Sequence, residues 1–159
     1  MISENYKIVP LMNAADVGGT PGTDCDSIDM SGYHKATFIF ICATVNANLT
    51  FTPMSGISDG TKTNAVPSWI ATGGAVLGAA VAGSTASCDV LSAWTASATT
   101  HAVTTSSNLM YVIEILGSSI TEGDDWLTVS CFSNVAGNVF AVAILEPRYS
   151  ENRSGTCLA

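Results

Sequence analysis

Hydrophobic and polar residues alternate with a period of two along most of this chain, the signature of half-buried strands. Leu109–Leu116 puts Tyr111, Ile113 and Ile115 on one face. Residues 127–132 set Leu127, Val129 and Cys131 against Thr128, Ser130 and Phe132. Just after residue 47, Leu49 and Phe51 are expected inward, with Asn48, Thr50 and Thr52 outward. Two segments, 35–44 and 138–145, are continuously apolar and predict strands covered on both faces. Residues 6–12 form a candidate edge strand, because Pro10 has no N–H to offer a second neighbour.

The connections carry turn chemistry. Val45-Asn46-Ala47 and Ser133-Asn134-Val135-Ala136-Gly137 are short enough for hairpins. Residues 13–32 read as a long, polar, Gly-rich connection, and 117–125 as a polar crossover with a helical turn. Residues 65–82 are ambiguous: an Ala-rich helix competes with Gly73, Gly74 and Gly78. Segments 84–95 and 99–105 predict two further strands, and Pro147 ends the last one. Short strands without βαβ alternation predict an all-β fold. The expectation is an antiparallel β-sandwich or jelly-roll-like single domain over 1–159, with 1–12 as an N-terminal arm or edge strand and 147–159 as a C-terminal tail.

Composition sharpens this picture. Only 11% of the 159 residues are charged, against roughly 25% in an ordinary domain, so Ser, Thr and Asn must cover much of the surface. The net charge of −8 excludes a basic nucleic-acid footprint and disfavours an anionic membrane surface. The first residues lack the basic and apolar regions of a signal peptide, and the most apolar stretch, 71–82, is too short to span a bilayer. Five cysteines (Cys25, Cys42, Cys88, Cys131, Cys157) form no CxxC pair, and an odd number cannot pair completely within one chain. Reduced thiols are expected, with Cys42 and Cys131 as small hydrophobes.

Each chemical motif has a plainer reading. Gly56-Ile57-Ser58-Asp59-Gly60 matches a nucleophile elbow, but no helix start follows it, so a turn is expected. Asp24, Asp26 and Asp29 lack the spacing of a calcium loop and read as a solvated acidic loop. Gly123-Asp124-Asp125 reads as a turn into the Trp126 strand. His34 and His101 have no third ligand at metal-binding spacing. Asn48-Leu49-Thr50 and Asn152-Arg153-Ser154 match glycosylation acceptors only by pattern. No catalytic residue, cofactor or metal is expected. Trp69, Trp94 and Trp126 are candidates for a core, an interface or a sugar-stacking face.

Four stretches in order carry a resemblance: Ser31-Gly32-Tyr33, Tyr111-Val112-Ile113-Glu114, Gly123 to Ser130 (GDDWLTVS) and Ala141 to Tyr149 (AVAILEPRY). In this order the chain resembles small virion proteins of tailed bacteriophages, encoded near the major capsid protein and regarded as capsid decoration (cement) or head-associated proteins. The resemblance implies a β-rich structural protein of the capsid surface, made in the host cytoplasm, with the major capsid protein as partner. Low charge independently favours self-association, with a homo-oligomer, preferably a trimer, expected. Contact candidates are Tyr6, Ile8 and Leu11 in the N-terminal arm, Arg148, Tyr149 and Arg153 in the tail, and Trp69 and Trp94 between them. The alternative expectation is a glycan- or receptor-binding virion module, in a head fibre or tail component.

Overall fold

A computed structural model describes residues 5–19, 22–43, 48–73, 91–104, 109–149 and 156–158. Two antiparallel sheets pack face to face as a β-sandwich. The strands are β1 (Lys7–Asp16), β2 (Thr23–Asp24), β3 (Ile28–Asp29), β4 (Tyr33–Cys42), β5 (Leu49–Gly56), β6 (Asn64–Ala65), β7 (Trp69–Gly73), β8 (His101–Val103), β9 (Leu109–Leu116), β10 (Trp126–Ser133) and β11 (Asn138–Pro147). One sheet has the order β1-β11-β4-β9-β7. The other runs β2-β10-β5-β6, with β3 also on β10 and β8 also on β5. From β3 to β5, and again from β6 to β11, successive strands alternate between the sheets, which winds the chain in a jelly-roll-like manner. A single 3-10 turn, Gly117–Ser119, supplies the expected helical turn of the crossover.

The core is what the alternation demands. Ala36, Phe38, Phe40 and Cys42 of β4, Tyr111, Ile113 and Ile115 of β9, and Val139, Ala141, Ala143 and Leu145 of β11 point inward from one sheet. Leu49 and Phe51 of β5 and Leu127, Val129 and Cys131 of β10 meet them from the other. Phe51 joins the layers: its ring lies 4.7 Å from Phe40 and 5.5 Å from Tyr111, both across the sandwich. Such tilted aromatic pairs add to the roughly 1.5–3 kcal/mol gained by burying each large side chain.

Several expectations need correction. Neither expected hairpin forms. β4 pairs with β11 and β9, whereas β5 pairs with β10, β6 and β8. Val45, Asn46 and Ala47 lie outside the described residues. Likewise β10 and β11 belong to opposite sheets, and residues 134–137 cross the roughly 10 Å between layers. The segment after β1 takes the hydrogen bonds a hairpin would have used. Val17 N–H donates to Gly137 O at 3.0 Å, and Ser133 N–H donates to Val17 O at 3.0 Å. The Asp16 carboxylate accepts from Gly18 N–H and Gly137 N–H, both at 2.9 Å, and these bonds hold its pKa below the ordinary value of 3.8.

The ambiguous region resolves at its start into β6 and β7, while residues 74–90 lie outside the described part. Residues 91–98 run beside β7 through bridges Gly73↔Leu91 and Ser68↔Ala98. Within the connection 13–32, β2 and β3 pair with β10. Finally, among the described residues β4 and β11 are covered on one face only. Ile39, Ile41, Val142 and Ile144 are half-buried on the other face, and Phe140 is exposed.

Candidate functional site

The outer face of the five-stranded sheet is built by cross-strand register. One row reads Pro10, Val142, Ile39, Val112, Ala71 across β1, β11, β4, β9 and β7. The next reads Phe140, Ile41, Met110, Gly73, and a third Ile8, Ile144, Thr37, Glu114, Trp69. Gly73 leaves room for Met110, whose methyl carbon would lie 2.7 Å from a Cβ there and would have to swing aside. Charge sits at the ends: Glu146 and Lys35 face each other at one, where Lys35 Nζ donates to Glu114 Oε1 at 3.1 Å, and Asp16 pairs with Asn138 at the other. The open part, over β1, β11 and β4, is a depression of about 820 Å³ lined by Pro10, Met12, Ile39, Ile41, Phe140 and Val142 among others.

β1 forms one edge of this sheet, blunted by Pro10 and by register shifts on either side of Met12. Ala14, at φ +45°, sits in the second irregularity, where a non-glycine residue is strained. The other edge, β7, is flanked by residues 91–98.

The contact candidates fall into three groups. Lys7 pairs with Leu145, so Tyr6 and Ile8 come to the same end of the sheet as Arg148 and Tyr149. There Ile8 is 53% and Tyr149 65% exposed. Arg148 is fixed, its Nε donating to Tyr33 O at 3.1 Å and its N–H to Gly32 O at 2.8 Å. Leu11 is buried in the core, so it supports the fold. Arg153 lies outside the described residues. Trp69 and Trp94 share a depression of about 310 Å³ with Glu114 and Leu116. The tail returns to the body: Cys157 is buried, and its carbonyl accepts from Asp29 N–H at 2.9 Å.

The chemical motifs resolve as structure. Ser58 opens a turn in which Thr61 N–H donates to Ser58 O at 3.0 Å, with Gly60 at φ +70°. Asp24 is paired with Lys62 and accepts from Ser130; burial raises its pKa, but these partners outweigh it and the net shift is downward. Asp124 accepts from Asn64 Nδ2 at 3.0 Å and Ser55 Oγ at 2.6 Å, which holds its pKa below 3.8. Ser27 and Thr128 hydroxyls hydrogen bond at 2.6 Å, and Gly60 N–H donates to Ser27 Oγ at 3.1 Å.

Sequence reasoning missed one pair. Ser68 Oγ lies 2.8 Å from His101 Nε2, with both residues buried. The Ser68 hydroxyl also donates to Ala98 O at 3.3 Å, so the pair ties residues 91–98 to the body. Burial lowers the His101 pKa from 6.5. No spacing rule links residues 33 positions apart, and the pair was found only through the fold.

Cys25, Cys42, Cys131 and Cys157 are free thiols, whereas Cys88 lies outside the described residues. Desolvation pushes the Cys25 and Cys42 thiols up to about 12, which suppresses the reactive thiolate. Among the described residues, no group of three or more His, Cys, Asp or Glu side chains could hold a metal ion, and no helix is long and apolar enough to cross a membrane.

Fold and surface together define an all-β sandwich with one apolar and one polar outer face. Comparison with protein-family models, curated proteins and solved structures finds no match.

Proposed function

We propose that this chain is a structural subunit of a virion, a decoration protein that binds the major capsid lattice of a tailed phage and stabilises the shell. The observation that carries the structural role is the apolar outer face of β1, β11 and β4, which the described residues leave half-exposed. Monomeric proteins rarely leave a continuous apolar sheet face in water. The capsid assignment draws its support from the resemblance of residues 31–149 to phage head proteins.

In this reading the docking end is the one where Tyr6, Ile8, Arg148 and Tyr149 converge. Two aromatic side chains and a fixed guanidinium form a compact anchor of the kind that dominates protein interfaces. Many copies on a repeated lattice turn modest contacts into durable attachment. The test is co-sedimentation of the purified chain with undecorated shells. Saturable binding lost in a Tyr6→Ala/Tyr149→Ala double variant is expected; wild-type protein left in the supernatant would refute the reading.

A second reading, a glycan-binding virion module, is favoured by Trp69 and Trp94 lining one depression beside Glu114. Aromatic rings stack on the apolar faces of sugars, and a carboxylate accepts from their hydroxyls. Glycan-array binding abolished by Trp94→Ala would select this reading over the lattice.

A further inference from the structure

We propose that the outer face of the five-stranded sheet is covered by a second copy of this chain, so that the protein is already a homo-oligomer before it meets any particle. This deepens the structural-subunit reading by naming what lies on its carrying surface. Three observations lead to it. The open part of the face, over β1, β11 and β4, is apolar through Pro10, Val142, Ile39, Phe140 and Ile41, and its charges lie at the ends, Lys35, Glu114 and Glu146 at one and Asp16 at the other, where they can remain at a wet rim. A partner recognised by charge would find nothing to read in the centre. An identical sheet offers the same apolar rows and the same twist, and two such sheets pack aligned at roughly 10 Å.

Size fits as well. The three open strands, β1, β11 and β4, about 4.8 Å apart over roughly 25 Å of strand length, give a footprint on the order of 350 Å². That is a little under half of the roughly 800 Å² each partner gives to a stable interface, and the rim supplies the remainder. The edges argue in the same direction. Pro10 and the two register shifts blunt β1, and residues 91–98 flank β7, so assembly through added strands is obstructed at both ends. Timing also favours self-pairing. A face waiting for a finished shell would be an aggregation hazard throughout synthesis, whereas a copy of the same chain covers it at once.

The fold supplies a matched control. Phe140 lies on this face and is 41% exposed, whereas Phe132 lies on the outer face of the opposite sheet and is 37% exposed. The mass of the full chain is measured by sedimentation velocity across the micromolar range, with circular dichroism to verify folding. Wild type is expected at two chain masses, Phe140→Lys at one, and Phe132→Lys unchanged from wild type. Should Phe140→Lys fail to fold, Val142→Thr, isosteric and compatible with a strand, is expected to weaken association at least tenfold. A single-chain mass for wild type overturns the proposal. So does a Phe140→Lys or Val142→Thr variant that associates as tightly as wild type. Shell binding separates the two readings: a monomer that decorates shells defeats only the self-association, and an oligomer that ignores shells defeats only the capsid assignment.

Discussion

The two outer faces of this sandwich are made from strands of similar length and the same pleat, yet they differ in chemistry. On the five-stranded sheet, Val142, Ile39, Ile41 and Phe140 stand side by side. On the opposite sheet, the corresponding register reads Ser130 beside Thr52 and Thr128 beside Met54, with Asp24 opposite Ser130 and paired to Lys62. Inward, both sheets contribute to one apolar core, with Ser55 of β5 and Ser133 of β10 among the buried polar positions. Burial in the core therefore does not explain the apolar outer face, whereas the proposed contact with a second copy would. The opposite face mixes Ser130, Thr52, Thr50 and the Asp24–Lys62 pair with Met54 and Phe132, which makes the adjacent apolar residues of β11 and β4 on the other face informative.

The comparison predicts a ranked set of effects. The largest belongs to the shared core. Phe51→Ala removes the ring that contacts Phe40 and Tyr111 across the layers and should cost about 3–5 kcal/mol in urea denaturation. Thr52→Ala, one residue along on the polar face, should be nearly neutral; equal losses would dissolve the inner–outer distinction. Next comes the strained edge of the apolar sheet. Ala14→Gly should stabilise by about 1 kcal/mol, since glycine adopts φ +45° without the Cβ clash. A lower melting temperature would mean that the Ala14 methyl packs usefully.

Titration gives the third effect. His101 is held neutral by burial, so the unfolded chain binds its proton more readily. Stability is fully present above pH 6.5 and should fall as the pH drops from there toward the lowered native value. His101→Gln should flatten that slope without changing the behaviour below pH 3.8. There Asp16 and Asp124, whose pKa values are depressed by the bonds they accept, lose their contributions as they protonate. A slope unchanged in His101→Gln would assign the acid loss elsewhere. The smallest effect lies on the polar face: Lys62→Met breaks the exposed pair with Asp24 and should cost under about 1 kcal/mol, less still in high salt.

Much of the sandwich was legible in the sequence, because alternation dictates which side chains face inward. Tyr111, Ile113 and Ile115, and Leu127, Val129 and Cys131, all point to the core as their spacing requires. Alternation does not say which strand is the neighbour. A link such as residues 134–137 suits a hairpin and a crossing between sheets alike, and the choice fell to backbone partners more than a hundred residues away, at Val17 and Gly18. The continuous apolar runs of β4 and β11 predicted cover on both faces, but among the described residues only the inner face is covered. The meeting of Trp69 with Trp94 and of Ser68 with His101, and the placing of Tyr6 at the same sheet end as Tyr149, depend on tertiary closure and leave no local trace.

The central claim is that the apolar sheet face is a contact surface and the polar one is not, and the matched phenylalanines test it directly. Hydroxyl-radical footprinting of the native, full-length protein, read residue by residue, compares Phe140 with Phe132. Their similar exposure in one chain predicts similar labelling if nothing covers either face. The account predicts Phe140 protected several-fold relative to Phe132, with protection lost on dilution or denaturation; equal labelling of the two rings at high protein concentration would contradict it.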